Sequence, residues 1–138
     1  MLNRRAFLGA STAALPFIAG FASAELGHLP SLVIDPTTAK LTHESYGDQS
    51  IYFDGSTGQL RALTVGCLVL KPGMVPHPPH QHPEEEIMLV TEGAGEITVE
   101  GKAYPAAAGS MMYCSAQRMH GITAGSHGLT FYFYKWRA

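Results

Sequence analysis

The sequence is poor in charge, in cysteine and in helical periodicity. Charged residues make up 14% of the chain and no run of lysine or arginine occurs. Nucleic acid and anionic membrane surfaces are therefore not expected partners. Two cysteines, Cys67 and Cys114, exclude a disulfide-dense scaffold. They fall on different predicted strands and could pair outside the cytoplasm. Folding under reducing conditions would disfavour the pairing, so two buried thiols are the expectation, and neither has a neighbouring base that would mark a nucleophile. There is no glycine-rich phosphate loop, no G-x-S-x-G elbow, no internal repeat and no convincing amphipathic helix. What is present is a 138-residue chain with 46% hydrophobic residues, which argues against disorder and leaves room for one domain. Its 15 glycines, 9 prolines and 6 each of tyrosine and phenylalanine suggest many turns between aromatic strands, hence an all-β fold.

Residues 1–24 read as an address. Arg4 and Arg5 form a positive start, an uncharged apolar run follows, and Ala22-Ser23-Ala24 is a small-residue cleavage site before Glu25. The adjacent arginines followed by Ala6-Phe7-Leu8 resemble a twin-arginine export signal, with Asn3 where Ser or Thr is commoner. The apolar run is short for a membrane span and contains Pro16. Cleavage and export would leave a periplasmic or secreted protein with no further membrane attachment. The twin-arginine resemblance implies a passenger folded, with any metal loaded, before export.

The mature chain divides into N-terminal strands and a lead-in over residues 25–58 and a barrel core over 59–138. Strands are expected at 32–34, 41–45, 51–53, 59–70, 86–90, 96–100, 103–104, 110–114, 120–124 and 129–136. Turns at 92–95 and 125–128 would separate neighbouring strands. Many short strands at regular spacing indicate a β-sandwich or barrel. Residues 71–83 carry Pro72, Pro76, Pro78, Pro79 and Pro83, too many for a helix or central strand, so a stiffened loop is expected. The apolar segment 129–136 would be an aggregation hazard as a bare edge, and is read as a covered strand or a dimer interface.

That proline-rich loop holds the chemistry. His77, His80 and His82 fall within it and Glu84, Glu85 and Glu86 follow. On extended chain His80, His82 and Glu86 share one face and can converge. Two imidazoles and a carboxylate make a metal site with open positions, and His120 could add a third imidazole. His77 reads as a residue behind the ligands or at the pocket rim, or as a solvated loop residue, and Met88 and Met112 have the parity of pocket lining or of core packing. Glu84 and Glu85 read as a solvated rim, either able to serve as an acid or base. Tyr113, Tyr132 and Tyr134 read as wall residues, and His28, His43 and His127 as surface residues.

These residues carry a resemblance. Residues 72–95, PGMVPHPPHQHPEEEIMLVTEGAG, resemble the first motif of the cupin superfamily, a glycine, H-x-H, a spaced glutamate and a second glycine. His80, His82, Glu86 and Gly93 fit its spacing, with Gly73 one residue early. Residues 109–124, GSMMYCSAQRMHGITA, match the second motif in part. Gly109 and His120 are in place, whereas Ser115 stands for a proline, Gln117 for a glycine and Ala124 for an asparagine. The resemblance implies a single double-stranded β-helix, or jelly-roll, barrel. It implies a divalent metal (Fe, Mn, Ni or Zn) held by His80, His82, Glu86 and His120, and often a homodimer. Dioxygenase, decarboxylase, isomerase and lyase chemistries on a small organic molecule all occur on similar proteins. A non-catalytic metal-containing binding module, like the auxin-binding proteins, and a barrel with an empty site are the alternatives.

Overall fold

The computed structural model describes residues 27–138, so the export signal expected over 1–24 lies outside the described residues. Among the described residues every regular element is a strand: β1 Lys40–Glu44, β2 Gly47–Gly55, β3 Ala62–Leu70, β4 Glu85–Val99, β5 Lys102–Ala107, β6 Met111–Cys114 and β7 His120–Arg137. All pairings between them are antiparallel, in the order β1-β2-β3-β7-β4-β5, with β6 also on β4.

Strands β4 and β7 are long and bent, and they make the barrel. The first half of β4 pairs with the end of β7 and with β6. The second half pairs with the start of β7 and with β5. A larger sheet, β1-β2-β3-β7-β4-β6, is thus folded onto a smaller one, β7-β4-β5. The fold lies at two register shifts, Val90/Glu92 and Gly93/Gly95. Bulges bend a strand and raise its twist without ending it. Residues 92–95 and 125–128, expected to separate strands, instead lie inside β4 and β7. Gly93 shows what the bend requires. Its φ is +72°, and a Cβ there would sit 2.3 Å from the Gly128 carbonyl oxygen on the crossing strand. Only glycine fits both demands.

The two sheets share one core. Leu68, Met88, Phe131 and Phe133 from the larger sheet pack with Ile97 and Ile122 from the smaller. Each such side chain contributes about 1.5–3 kcal/mol when fully buried. Gly66 faces Phe133 across the β3–β7 pair, and a Cβ there would lie 2.5 Å from the phenylalanine ring, so its absence makes the room that ring occupies. Cys67 and Cys114 are buried free thiols, and burial raises the pKa of each. The apolar segment 32–34 is not a strand: Val33 is 96% exposed and no neighbouring strand pairs with it. A short apolar run followed by Asp35-Pro36 has β propensity but lacks an edge to join.

Candidate metal centre

Burial alternates along the first half of β4, putting Glu86, Met88 and Val90 inside and Glu85, Ile87 and Leu89 outside. Glu86 is therefore a carboxylate in an otherwise apolar row, and it is 4% exposed. A charge so placed is costly unless it is paired. Its partners come from two other segments. The loop after β3 crosses the barrel mouth and is fixed to the start of β7 by a backbone bridge, His80 N–H to His120 O and His120 N–H to His80 O, both 2.9 Å. Gln117 N–H donates to His82 O at 2.8 Å, closing the loop against the β6–β7 connection. His80 and His82 are thus aimed by an irregular loop tied at two points, not by the alternation of a regular strand.

These ties bring the imidazoles of His80, His82 and His120 together, with one ligand atom from each within 4.8 Å of the others. His82 Nε2 and His120 Nε2 lie 2.8 and 2.9 Å from the same Glu86 oxygen, Oε2. Their opposite nitrogens are also engaged, His82 Nδ1 with Glu84 O at 3.1 Å and His120 Nδ1 with Arg118 O at 2.9 Å. A backbone carbonyl only accepts, so each Nδ1 carries the proton and each Nε2 of the neutral ring keeps a lone pair. Two such lone pairs and an anionic oxygen meet at one place. Only positive charge satisfies that meeting, either a proton on each ring or a metal ion. Second-sphere carbonyls that fix the tautomer in this way are the usual support of metal-bound histidine. His80 adds a further sign. Its Nδ1 is, among the described residues, the one buried side-chain nitrogen or oxygen without a hydrogen-bond partner. The donor set therefore fits a divalent metal.

The electrostatics divide the histidines. Burial, then the neighbouring His77, His120 and His82, push the His80 pKa down to about 4. For His120, burial alone would lower the pKa. The Glu86 carboxylate and the Arg118 carbonyl outweigh it and hold the ring above its ordinary value. Burial acts to raise the Glu86 pKa, but the bonds from His120 and His82 prevail and the carboxyl stays below its usual range.

A cavity of about 100 Å³ lies over this cluster, and its lining includes Gln49, His77, His80, Glu86, Met88 and Lys135. His77 is exposed at the mouth, its ring centroid 4.0 Å from that of His80. Met88 forms part of the wall. Met112 does not reach this cavity; it lines a separate depression between β5 and β6. Glu85 points to the outer face and accepts a hydrogen bond from the Tyr113 hydroxyl at 2.7 Å, while Glu84 stands 3.3 Å from His82 Nδ1. Tyr132 and Tyr134 also face outward, across the sheet from Leu89 and Ile87. His28, His43 and His127 are exposed and away from the cluster. Sequence reasoning passes over Lys135 and Gln49. The signal for Lys135 is the alternation of β7, where Phe131, Phe133 and Lys135 share one parity and hence one face.

Comparison with known proteins agrees with this architecture. Residues 66–133 match the cupin domain family. An RmlC-like cupin from Shewanella frigidimarina superimposes with a TM-score of 0.66 at 15% identity, covering 79% of this chain and 93% of that one. KdgF from Halomonas sp. gives 0.62 at 21% identity over 79% and 96% of the two chains. The polyketide cyclase RemF from Streptomyces resistomycificus gives 0.62 at 17% identity over 78% and 79%. At such identities the likeness is one of fold. No curated protein sequence matches the chain. The cupin domain matched over residues 66–133, the jelly-roll topology and the three clustered histidines together support placing this chain among the cupins.

Proposed function

We propose that the chain is an exported metalloenzyme acting on a small organic molecule, with one divalent metal held by His80, His82, His120 and Glu86. The observation that carries this reading is the convergence of two Nε2 lone pairs on one Glu86 oxygen at the floor of a cavity, beside a buried His80 nitrogen with no partner. Three imidazoles and a carboxylate suit Fe(II), Mn(II), Ni(II) or Zn(II). Such an ion supplies Lewis acidity, a template for oxygen donors or, if redox-active, oxygen chemistry of the dioxygenase kind; decarboxylation, isomerisation and lyase reactions need only the first two. Glu86 holds the His82 and His120 rings in place. Phe131, Phe133 and Met88 keep the cavity wall apolar. His77, at the mouth, is positioned to exchange a proton with a bound molecule.

A second reading is a non-catalytic binding module. It is favoured by the disposition of the other candidate acids and bases. Glu85 is turned outward to Tyr113 and Glu84 is beside His82, which leaves His77 alone at the cavity mouth.

We also propose a homodimer. The outer face of the larger sheet presents Ile87, Leu89, Tyr132 and Tyr134, continued on β6 by Met111 and Tyr113, which are 65% and 58% exposed. A contiguous apolar face of this kind on one sheet marks an association surface. Export by the twin-arginine route to the periplasm rests on the Arg4-Arg5 signal and the Ala22-Ser23-Ala24 cleavage site.

Elemental analysis tests the metal assignment. Protein exported through its own signal, purified without a histidine tag, is compared with the His80→Ala/His82→Ala variant. Near one equivalent of metal in the first and none in the second is expected. No metal in either, after aerobic and anaerobic preparation, would sink the assignment.

A further inference from the structure

Strand β7 carries a cation into the cavity. Lys135 follows Phe131 and Phe133 on the inward parity and lines the same cavity as His77, His80 and Glu86. The sheet register sets it directly opposite Glu86. That pairing of opposite charges across two strands would ordinarily close an ion pair. Here it does not. Glu86 turns its Oε2 to His82 and His120 instead. Among the described residues the Lys135 ammonium forms no ion pair; its recorded neighbour is the Phe133 ring, 5.6 Å from Nζ to the centroid. The walls around it include Leu68, Met88, Phe131 and Phe133, so a negative charge brought there is less screened than at the surface. Gln49, on the facing strand β2, adds an amide able to donate or accept.

We infer that Lys135 is the anion-recognition residue of this cavity, and that the molecule bound there is a small carboxylate. One carboxylate oxygen or a neighbouring oxygen donor would face the histidine cluster and the charge would rest on the Lys135 ammonium. This rests on the metal-centre reading for the first contact but not for the second. The cavity volume of about 100 Å³ suits a small anion. The choice of a carboxylate over a neutral carbonyl follows from the ammonium: it has no ion-pair partner among the described residues and lines a cavity with apolar walls, where an opposite charge is attracted more strongly than at the surface.

The test uses the full chain, Zn(II)-loaded and metal-free, titrated at constant ionic strength with acetate and with its neutral isostere acetamide. The Lys135 ε-methylene resonance and the fitted Kd are followed. Acetate is expected to bind at least about tenfold more tightly than acetamide. Lys135→Met should erase that preference, while Lys135→Arg keeps it and both variants hold the wild-type Tm and Zn(II) content. Unchanged acetate binding in Lys135→Met overturns the inference. If the wild type takes up none of Fe(II), Mn(II), Ni(II) and Zn(II), the metal reading fails. The metal-free titration still decides here: an acetate-specific shift at Lys135 supports the inference, and its absence overturns it.

Discussion

Glu85 and Glu86 are neighbours on one strand, yet they inhabit different proteins in the physical sense. Glu86 faces inward, buried, between two imidazoles. Glu85 faces outward and meets a tyrosine hydroxyl at an exposed sheet surface. The same division runs along both partners, with Met88, Phe131, Phe133 and Lys135 inside and Ile87, Leu89, Tyr132 and Tyr134 outside. The inner row is apolar with charge inserted where chemistry is placed. The outer row is apolar but for Glu85 at its end. The difference teaches that hydrophobicity alone does not separate the inward from the outward face on this fold; the position of the charges does.

A crossed pair of substitutions breaks the comparison if it is wrong. Glu86→Gln should weaken metal binding by about 100-fold, because it removes the anion that orients both rings. It should also cost about 2–3 kcal/mol of stability in the metal-free protein, from buried donors left without their charged acceptor. Its oligomeric state should not change. Tyr134→Glu should do the converse, weakening a dimer by at least about 30-fold, the effect of losing one interface hot spot, with metal content unchanged. Metal titration and light scattering on both variants read the four outcomes. Loss of metal in Tyr134→Glu, or dissociation in Glu86→Gln, would mean that the two faces are one cooperative unit.

Titration sharpens the inner face itself. In metal-free protein the His80 ring should titrate near pH 4 and the His120 ring above 6.5, as followed by imidazole proton resonances. The consequences for stability have opposite signs. His80 has a folded pKa below its unfolded value, so its stability contribution is intact above pH 6.5 and is lost as pH falls toward about 4. His120 has a folded pKa above its unfolded value, so its contribution is full below pH 6.5 and is lost as pH rises through the folded pKa. A metal requires both rings neutral. Affinity should therefore rise with pH through the His120 titration, with proton release on binding. Affinity independent of pH between 6 and 8 would remove His120 from the ligand set.

Much of this was legible in the chain. The all-β class followed from composition and turn spacing, and the H-x-H spacing with Glu86 marked the centre because a metal needs those donors close in space. The bend in β4 and β7 was not legible as a bend. Residues 92–95 and 125–128 are glycine-rich, and glycine signals a turn and a bulge alike; only the register with the crossing strand tells them apart. Lys135 was hidden for another reason. One lysine in an aromatic strand reads as a solubilising edge residue until the neighbouring strand shows which parity faces the cavity. Segment 32–34 failed the other way, having the propensity of a strand and no partner.

The second motif carries the finest case. Gln117 stands where similar sequences have glycine, and the structure shows why that position favours glycine: its φ is +60°, in the left-handed region. The turn is retained nonetheless, because Gln117 N–H closes on His82 O at 2.8 Å and that bond fixes the loop bearing His80 and His82. The side chain costs about 1 kcal/mol in this conformation, and the closure offsets it. Gln117→Gly should therefore raise stability by about 0.5–1 kcal/mol in metal-free protein, measured by denaturant unfolding. Metal affinity should remain within about twofold, since the backbone bond to His82 survives the change. A loss of stability would show instead that the Gln117 side chain holds the turn, and that the departure from glycine is compensated by contacts of its own.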